Sequence, residues 1–505
     1  MRGIGIVLFL LLFIACSESD KIKEEKHCAD IIDFAIQSGD VKVSSFLMKD
    51  DTIHVQVPND FNIKNVKDYV TYEGEKYLFD GTELEAAAVH KDFSDFCNPH
   101  HYTVIGGGKS RDYVVKVYNL PIININTPDS VAIESRYEWL GNCNITIRDT
   151  DGTTGDYGDA NLKGRGNWSW RVGINSGKKP YAIKLTNKPK DKTILGIPGH
   201  KRWVLLANPL DYLPNPIGFE ITRRATNNWA PRSRYVELFI NGKHQGLYLL
   251  CEQIKIDKNR INIKELKKTD IEGEAVTGGY LISYDDAEED DDPRFYSQYY
   301  KWPIMIKNPD SDDIVPEQLA YIQGYINQME EALFDDDKFE SREYANYMDV
   351  DSWIDYYLVE ELWGAYELGR PRSVWMYKDR NGKMTAGPGW DFEQNYFSTQ
   401  ELLCKNVFYY QRLFQDPVFV NQTKKRWKYF YDSLYGGNGF NDIEQFVDSL
   451  YNAIKYSAAR DRKMVPSEHN YYLPQPESTL DLEYKVIKEG MKKKIDWLSS
   501  QIGSW

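Results

Sequence analysis

Hydrophobic periodicity divides this chain into two textures. Apolar residues alternate with polar ones in Thr52-Ile53-His54-Val55-Gln56-Val57-Pro58 and Asp112-Tyr113-Val114-Val115-Lys116-Val117-Tyr118, and again in Ile122-Ile123-Asn124-Ile125 and Ile145-Thr146-Ile147. A period of two places successive side chains on opposite faces of a strand. Farther on, Leu319 to Leu333, Trp353 to Leu362, Phe440 to Ile454 and Tyr484 to Ile502 carry apolar residues at i, i+3 and i+4, the stripe of a helix with one buried face. Strands followed by helices exclude both a pure bundle and a pure sandwich, so the expected class is α+β. At 505 residues the chain is too long for one core, and two or three folded units are expected.

The first sixteen residues assign a compartment. Arg2 precedes an apolar run from Ile4 to Ile14, which ends at Ala15-Cys16 and gives way to Ser17-Glu18-Ser19-Asp20. A positive start, a short apolar segment and a small residue before the break describe an export signal, too short to be a spanning helix. Its ending resembles a bacterial lipoprotein box, with Phe13 where Leu is usual; the alternative is an ordinary cleaved signal with an incidental Cys. The resemblance implies lipidation of Cys16, which gives membrane attachment in the cell envelope after export from a bacterial cytoplasm. With Cys16 lipidated, Cys28, Cys97, Cys143, Cys251 and Cys404 remain, an odd set in which Cys28 with Cys97 is the most plausible bridge. The net charge of −14 is spread along the chain and argues against a nucleic-acid partner, since phosphate contacts need clustered positive charge.

The expected organisation is a signal peptide over residues 1–16, a linker over 17–29, a small all-β sandwich over 30–119 and a larger domain over 120–505. The sandwich resembles the immunoglobulin-like modules that precede many surface lipoprotein domains, and its expected role is that of a spacer or adhesive module. Chemistry is expected in the larger domain. Gly164-Arg165-Gly166-Asn167 is a Gly-flanked turn, and Lys179-Pro180-Tyr181-Ala182-Ile183-Lys184-Leu185 reads as a strand carrying an inward Lys. Backbone N–H groups in a tight loop followed by a lysine can cradle and neutralise phosphate. Trp203 to Asn208 reads as a buried strand and Pro216 to Arg224 as a helix with Glu220 in its interior. A lone carboxylate inside an apolar helical face needs a partner, either Lys184 or, on its own helix, Arg223 or Arg224. Met376 to Met384 reads as a hairpin around Asn381-Gly382.

Those segments, together with Trp229 to Leu238, Asn241 to Leu250, Glu252-Gln253-Ile254, Gly278 to Ile282 and Gly387-Pro388-Gly389-Trp390-Asp391-Phe392-Glu393, are similar in order and spacing to the CotH family of atypical kinases. The resemblance implies a divergent protein-kinase-like, two-lobed domain with a β-rich lobe at about 120–285 and a helical lobe at about 315–505, in which ATP with Mg or Mn phosphorylates serine in a protein substrate. It implies that Gly164, Gly166, Asn167 and Lys184 hold the nucleotide, that Glu220 orients Lys184, and that Asp391 with Glu393 binds metal.

The chain departs from the family pattern where the family has an Asn and then a catalytic Asp. Glu361-Leu362-Trp363-Gly364-Ala365-Tyr366-Glu367 puts Ala365 at the Asn position and Glu367 at the Asp position. Glu367 keeps a carboxylate one methylene farther out, and Ala365 offers no ligand. ATP is also scarce outside the cytoplasm. The rival expectation is a catalytically inactive surface lipoprotein that stacks Trp168, Trp170, Tyr299, Tyr300, Trp302, Tyr356 and Tyr357 on a glycan or protein ligand, the alternative for each ring being core packing. The acidic run Asp285 to Asp292 lacks the Gly and closing Glu of an EF-hand loop and reads as a solvated insertion. Replacing Cys16 by Ser should abolish incorporation of labelled palmitate and release the protein from the membrane fraction; retained label would remove Cys16 as the anchor.

Overall fold

The computed structural model describes residues 29–58, 61–83, 90–187, 193–208, 211–285, 292–393, 397, 400–435, 443–464 and 480–505. The signal segment with Cys16 and Cys28, and the acidic run from 286 to 291, lie outside these residues. Cys97 forms no disulfide with another described cysteine.

The N-terminal all-β region consists of two sheets closed over one apolar core. One sheet joins β1 (Asp30–Ser38), β2 (Val41–Ser44) and β5 (Lys67–Glu73). The other joins β3 (Leu47–Lys49), β4 (Thr52–Gln56), β6 (Lys76–Phe79), β7 (Thr82–Glu83), β8 (His100–Gly106) and β9 (Lys109–Tyr118). The alternation legible in Thr52 to Val57 and Asp112 to Tyr118 puts Ile53, Val55, Val115 and Val117 into that core with Phe34 and Tyr102. β4 pairs with β9 in parallel.

After Leu120-Pro121 the chain enters a closed barrel of β10 (Ile122–Asn126), β11 (Leu140–Arg148), β12 (Thr154–Gly164), β13 (Tyr181–Leu185), β16 (Arg202–Leu206), β17 (Ser233–Ile240) and β18 (Lys243–Glu252). A two-stranded appendage, β14 (Thr193–Ile194) and β15 (Ile197–Pro198), lies outside it. The barrel closes where β10 pairs with β17 in parallel, and closure leaves neither strand as an open edge. Ile145, Ile147, Ile183, Leu185, Trp203 and Leu250 fill the interior. Lys184, between two interior residues of β13, therefore lies on the outer face and not inward as the sequence suggested. Two helices interrupt the barrel strands: α1 (Trp168–Ser176), where a plain turn was expected, and α2 (Pro214–Ala225).

A second sheet follows, ordered β20 (Arg294–Tyr296), β21 (Pro303–Asn308), β19 (Tyr280–Tyr284), β22 (Val374–Lys378) and β23 (Met384–Ala386). β22 and β23 are the hairpin expected around Asn381-Gly382, and Asn381 takes the left-handed φ of 53° that such a turn requires. The helical part comprises α3 (Pro316–Phe334), α4 (Asp336–Glu340), α5 (Val350–Trp363), α6 (Tyr410–Leu413), α7 (Pro417–Tyr435), α8 (Ile443–Met464) and α9 (Leu480–Ser504). Every residue of α5 from Ser352 to Trp363 is buried, so it is a core helix enclosed on all sides. Tyr300, Trp302, Tyr356 and Tyr357 belong to the same core or pack against it, as core packing would have them; Trp302 stacks on Tyr300 at 4.0 Å. Among the described residues no helix is long and apolar enough to cross a membrane.

Buried charge joins these parts. Asp461 on α8 accepts from the Lys178 ammonium, from the Tyr212 hydroxyl at 2.6 Å and from the Leu247 N–H at 2.9 Å. One residue earlier, Arg460 pairs with Glu237 of β17 and donates to the Val117 carbonyl of β9 at 2.7 Å, so a single helix turn ties the N-terminal region to the barrel. Removing one partner of a buried pair strands the other charge, at a cost of about 3–5 kcal/mol. Asp461→Ala should lower unfolding stability by that order in urea titration, because Lys178 is 3% exposed and has no water to turn to. A loss below about 1 kcal/mol would show that the pair is not what holds α8 in place.

Candidate functional site

Asp391 sits where the barrel, the second sheet and α5 converge. It follows β23 in Gly389-Trp390-Asp391-Phe392 and takes a left-handed φ of 61°, a conformation that costs a non-glycine residue about 1–3 kcal/mol and must be held by its surroundings. The hold comes from α2. Asn215 accepts from the Phe392 N–H at 3.0 Å and donates to Glu393. Gly218 leaves room for the Phe392 ring, which would collide with a Cβ there, and Phe219 packs on Trp390 with ring centres 5.5 Å apart. From the other side Trp363 meets the Phe392 ring at 5.3 Å.

A narrow pocket opens beside Asp391, lined also by Glu360, Ala365, Glu367, Arg372 and Ser373. A short 3-10 turn over Tyr366–Gly369 brings Glu367 to the same pocket as Asp391. Ala365 lines the same pocket and offers no ligand. Burial pushes the Asp391 carboxyl up, Arg165 and a Ser373 hydrogen bond oppose that, and Asp285 adds to it. Arg165 comes from the Gly-flanked loop, and its guanidinium lies 5.6 Å over the Trp390 ring. The loop thus reaches the site through Arg165. Its glycines answer local demands: the Trp170 ring occupies the space of a Gly164 Cβ, and Gly166 has a φ of 73°. Asn167 precedes the first turn of α1.

Glu360 is a participant the sequence reading passed over. Its neighbour Glu361 accepts N–H groups from Leu403, Cys404 and Lys405 at 2.7, 2.9 and 3.1 Å and is a structural anchor. Glu360 faces the pocket with Oε1 buried and without a hydrogen-bond partner among the described residues. Burial first, then Glu367 and Asp391, push its carboxyl from 4.5 up to about 8, while a hydrogen bond from Tyr356 pulls the other way. The sequence signal was a pair of adjacent glutamates beside Leu358, Val359, Leu362 and Trp363 in a largely apolar half of the helix.

Two expectations are corrected. Glu220 does not orient Lys184: it pairs with Arg223 and Arg224 of its own helix, each at 2.5 Å, since residues three and four apart are neighbours on a helix surface. Burial raises its carboxyl but the two arginines outweigh that and hold it below the ordinary value. Lys184 makes no hydrogen bond or ion pair among the described residues; its field acts on Asp310, beyond the end of β21. β21 pairs Asn308 with Leu281 of β19, whereas Asp391 interacts with Ser373 and Asp285 past the Tyr284 end, so Lys184 and Asp391 address opposite ends of β19. Glu393 is half-buried, bonded to Asn215, and does not line the pocket of Asp391. Among the described residues no three His, Cys, Asp or Glu side chains gather as a metal site. A cation beside Asp391 fits only the mode in which one or two carboxylates share it with water and substrate phosphate, and the unpartnered Glu360 oxygen is consistent with that mode.

These features define an α+β protein in which α5, the turn after it, the start of β22 and the segment after β23 enclose an acidic pocket. The chain belongs to the CotH kinase protein family, whose profile matches residues 162–498. None of the curated proteins compared with it matches. A solved structure from Bacteroides thetaiotaomicron, of a protein provisionally called a glycoside hydrolase, is 14% identical over 54% of this chain and 63% of its own, with a TM-score of 0.16. A score that low carries no argument.

Because Glu360 binds its proton more tightly when folded, its contribution to stability is full below about pH 4.5 and is lost as pH rises through about 8. Glu360→Gln keeps the shape and removes the titration. Urea titrations from about pH 5 to pH 8 should show the wild-type stability falling by a few kcal/mol more than that of the variant. Parallel pH profiles would remove Glu360 from this role.

Proposed function

We propose that this protein is an exported, lipid-anchored phosphotransferase that binds ATP with magnesium or manganese at the Asp391 pocket and transfers phosphate to serine in a protein acceptor. The observation that carries the reading is that Asp391 and Glu367 line one pocket while Arg165, from the Gly-flanked loop, adds its positive field to Asp391. Phosphoryl transfer asks for positioning and charge neutralisation more than for covalent chemistry. In this reading Asp391 would hold the cation, which would supply charge stabilisation to the phosphates, Arg165 would neutralise phosphate charge, and Glu367 would accept the proton of the acceptor hydroxyl. The N-terminal all-β region serves as an immunoglobulin-like spacer that sets the site away from the membrane.

A second reading rests on Ala365. With no ligand side chain at that position, the domain binds nucleotide without transferring it. The two readings part in one experiment. ATP with manganese at a hundred times its Kd should stabilise the protein by about 2.7 kcal/mol, seen as a raised Tm, and labelled γ-phosphate should pass to the protein or a generic acceptor. A shift without label selects the binding-only reading, and neither shift nor label defeats both. Asp391→Ala should abolish the shift; an unchanged shift would remove Asp391 from cation binding.

A further inference from the structure

The outer face of the barrel carries a concentration of positive charge of which the resemblance accounts for Lys184 alone. Lys184 of β13 and Arg202 of β16 are directly opposite in register, and both lie on the outer face. Like charges directly opposite on neighbouring strands repel, so the pair asks for an anion. Lys255, just past the end of β18, joins them. All three act on one carboxylate: the Lys255 ammonium lies 2.7 Å from Asp310 Oδ1, the Arg202 guanidinium lies 3.8 Å from Asp310 Oδ2, and Lys184 adds its field. Burial raises the Asp310 carboxyl, but Lys255, Arg202 and Lys184 together hold it below the ordinary value.

The balance is three cations to one carboxylate, in a protein whose net charge is −14. The cations are the sheltered members: the side chains of Lys255 and Arg202 are 18% and 19% exposed, whereas that of Asp310 is 51% exposed. The aromatic ring of Trp139 fixes the edge of the cluster, with Arg202 lying 5.2 Å and Lys163 5.1 Å from its centre. The anion thus sits on the open side over a cationic floor, where an ion pair in contact with water is weak and exchangeable.

We propose that Lys184, Arg202 and Lys255 form a polyphosphate-binding site, and that Asp310 occupies it as an internal anion until a phosphate chain displaces the carboxylate. Only the choice of ligand rests on the nucleotide reading above; Arg202, Lys255 and Asp310 are new to it. Several charge-assisted bonds from convergent donors suit a chain of phosphates better than a single carboxylate. The site holds its ligand without metal, since its counter-charge is supplied by the protein, and it is separate from the Asp391 pocket.

The test uses the full chain and inorganic tripolyphosphate in metal-free, low-salt buffer, with sulfate at equal ionic strength as the control. By calorimetry the wild-type protein should bind tripolyphosphate, Asp310→Asn should bind it about tenfold tighter, and adding Lys255→Gln to that variant should cancel the gain. Binding that Asp310→Asn leaves unchanged or weakens overturns the proposal, as does equal binding of sulfate. A readout on the wild-type protein removes any dependence on variant folding. Tripolyphosphate should slow acetylation of Lys184 and Lys255 severalfold and leave Lys428, whose side chain is 80% exposed, unaffected. Failure of that protection also overturns the proposal. Asp391→Ala should bind metal-free tripolyphosphate as the wild type does, so loss of phosphate transfer and loss of this site are separate outcomes.

Discussion

The site depends on a contact remote from its chemistry: the two carboxylates, one from α8 and one from α9, that fix the start of α2. Asp461 accepts from the Tyr212 hydroxyl, and Glu483 of α9 accepts the N–H groups of Tyr212 and Leu213 at 2.9 and 2.5 Å. An N-terminal helix end presents unpaired N–H groups and the positive pole of its dipole, and here the Glu483 carboxylate takes up the N–H groups just ahead of α2. With that end fixed, Asn215 is held against Phe392 and Glu393, Gly218 lies under the Phe392 ring, and Asp391 is held in its left-handed conformation. The C-terminal helices are thus part of the site although none of their side chains lines it.

Inside the pocket the physical problem is crowding of negative charge. Glu360, Glu367 and Asp391 line one small space, and Asp285 adds its field to Asp391. In a low-dielectric setting such carboxylates cannot all ionise unless protons or a cation intervene. Burial and its carboxylate neighbours push the Glu360 carboxyl up to about 8, burial pushes the Asp391 carboxyl in the same direction, and Arg165 supplies the counter-charge. A cation would release those protons and give the Glu360 Oε1 the partner it lacks.

What the sequence disclosed follows the range over which each signal acts. The strand and helix periods, the Asn381-Gly382 hairpin and the helix over Pro216 to Arg224 are local, and each appears in the structure. Glu367 was singled out by resemblance, and it lines the same pocket as Asp391. Long-range charge pairing was not legible, because any lysine can answer any carboxylate until the fold chooses. Lys178 and Asp461 meet across 283 residues, and the neighbour Lys184 was the lysine singled out instead. Glu220 shows the converse: the residues left both partners open, the resemblance implied the tertiary one, and the two arginines on the same helix face take the carboxylate.

Charge is also segregated along the second sheet. The cations that act on Asp310 gather near the Asn308–Leu281 end of the β21–β19 pair, and the carboxylates around Asp391 gather past Tyr284. Three residues of strand separate those positions, about 10 Å at 3.4 Å per residue. A ligand that drew on both ends would have to be extended and anionic at one end, with a cation at the other. Inorganic phosphate is too short to do this, and a neutral sugar has no use for either end. The overall field of an acidic protein repels a phosphate chain, so the chain's approach is governed by the local cationic floor, and the position of that floor on the outer face of the barrel fixes the side from which it enters.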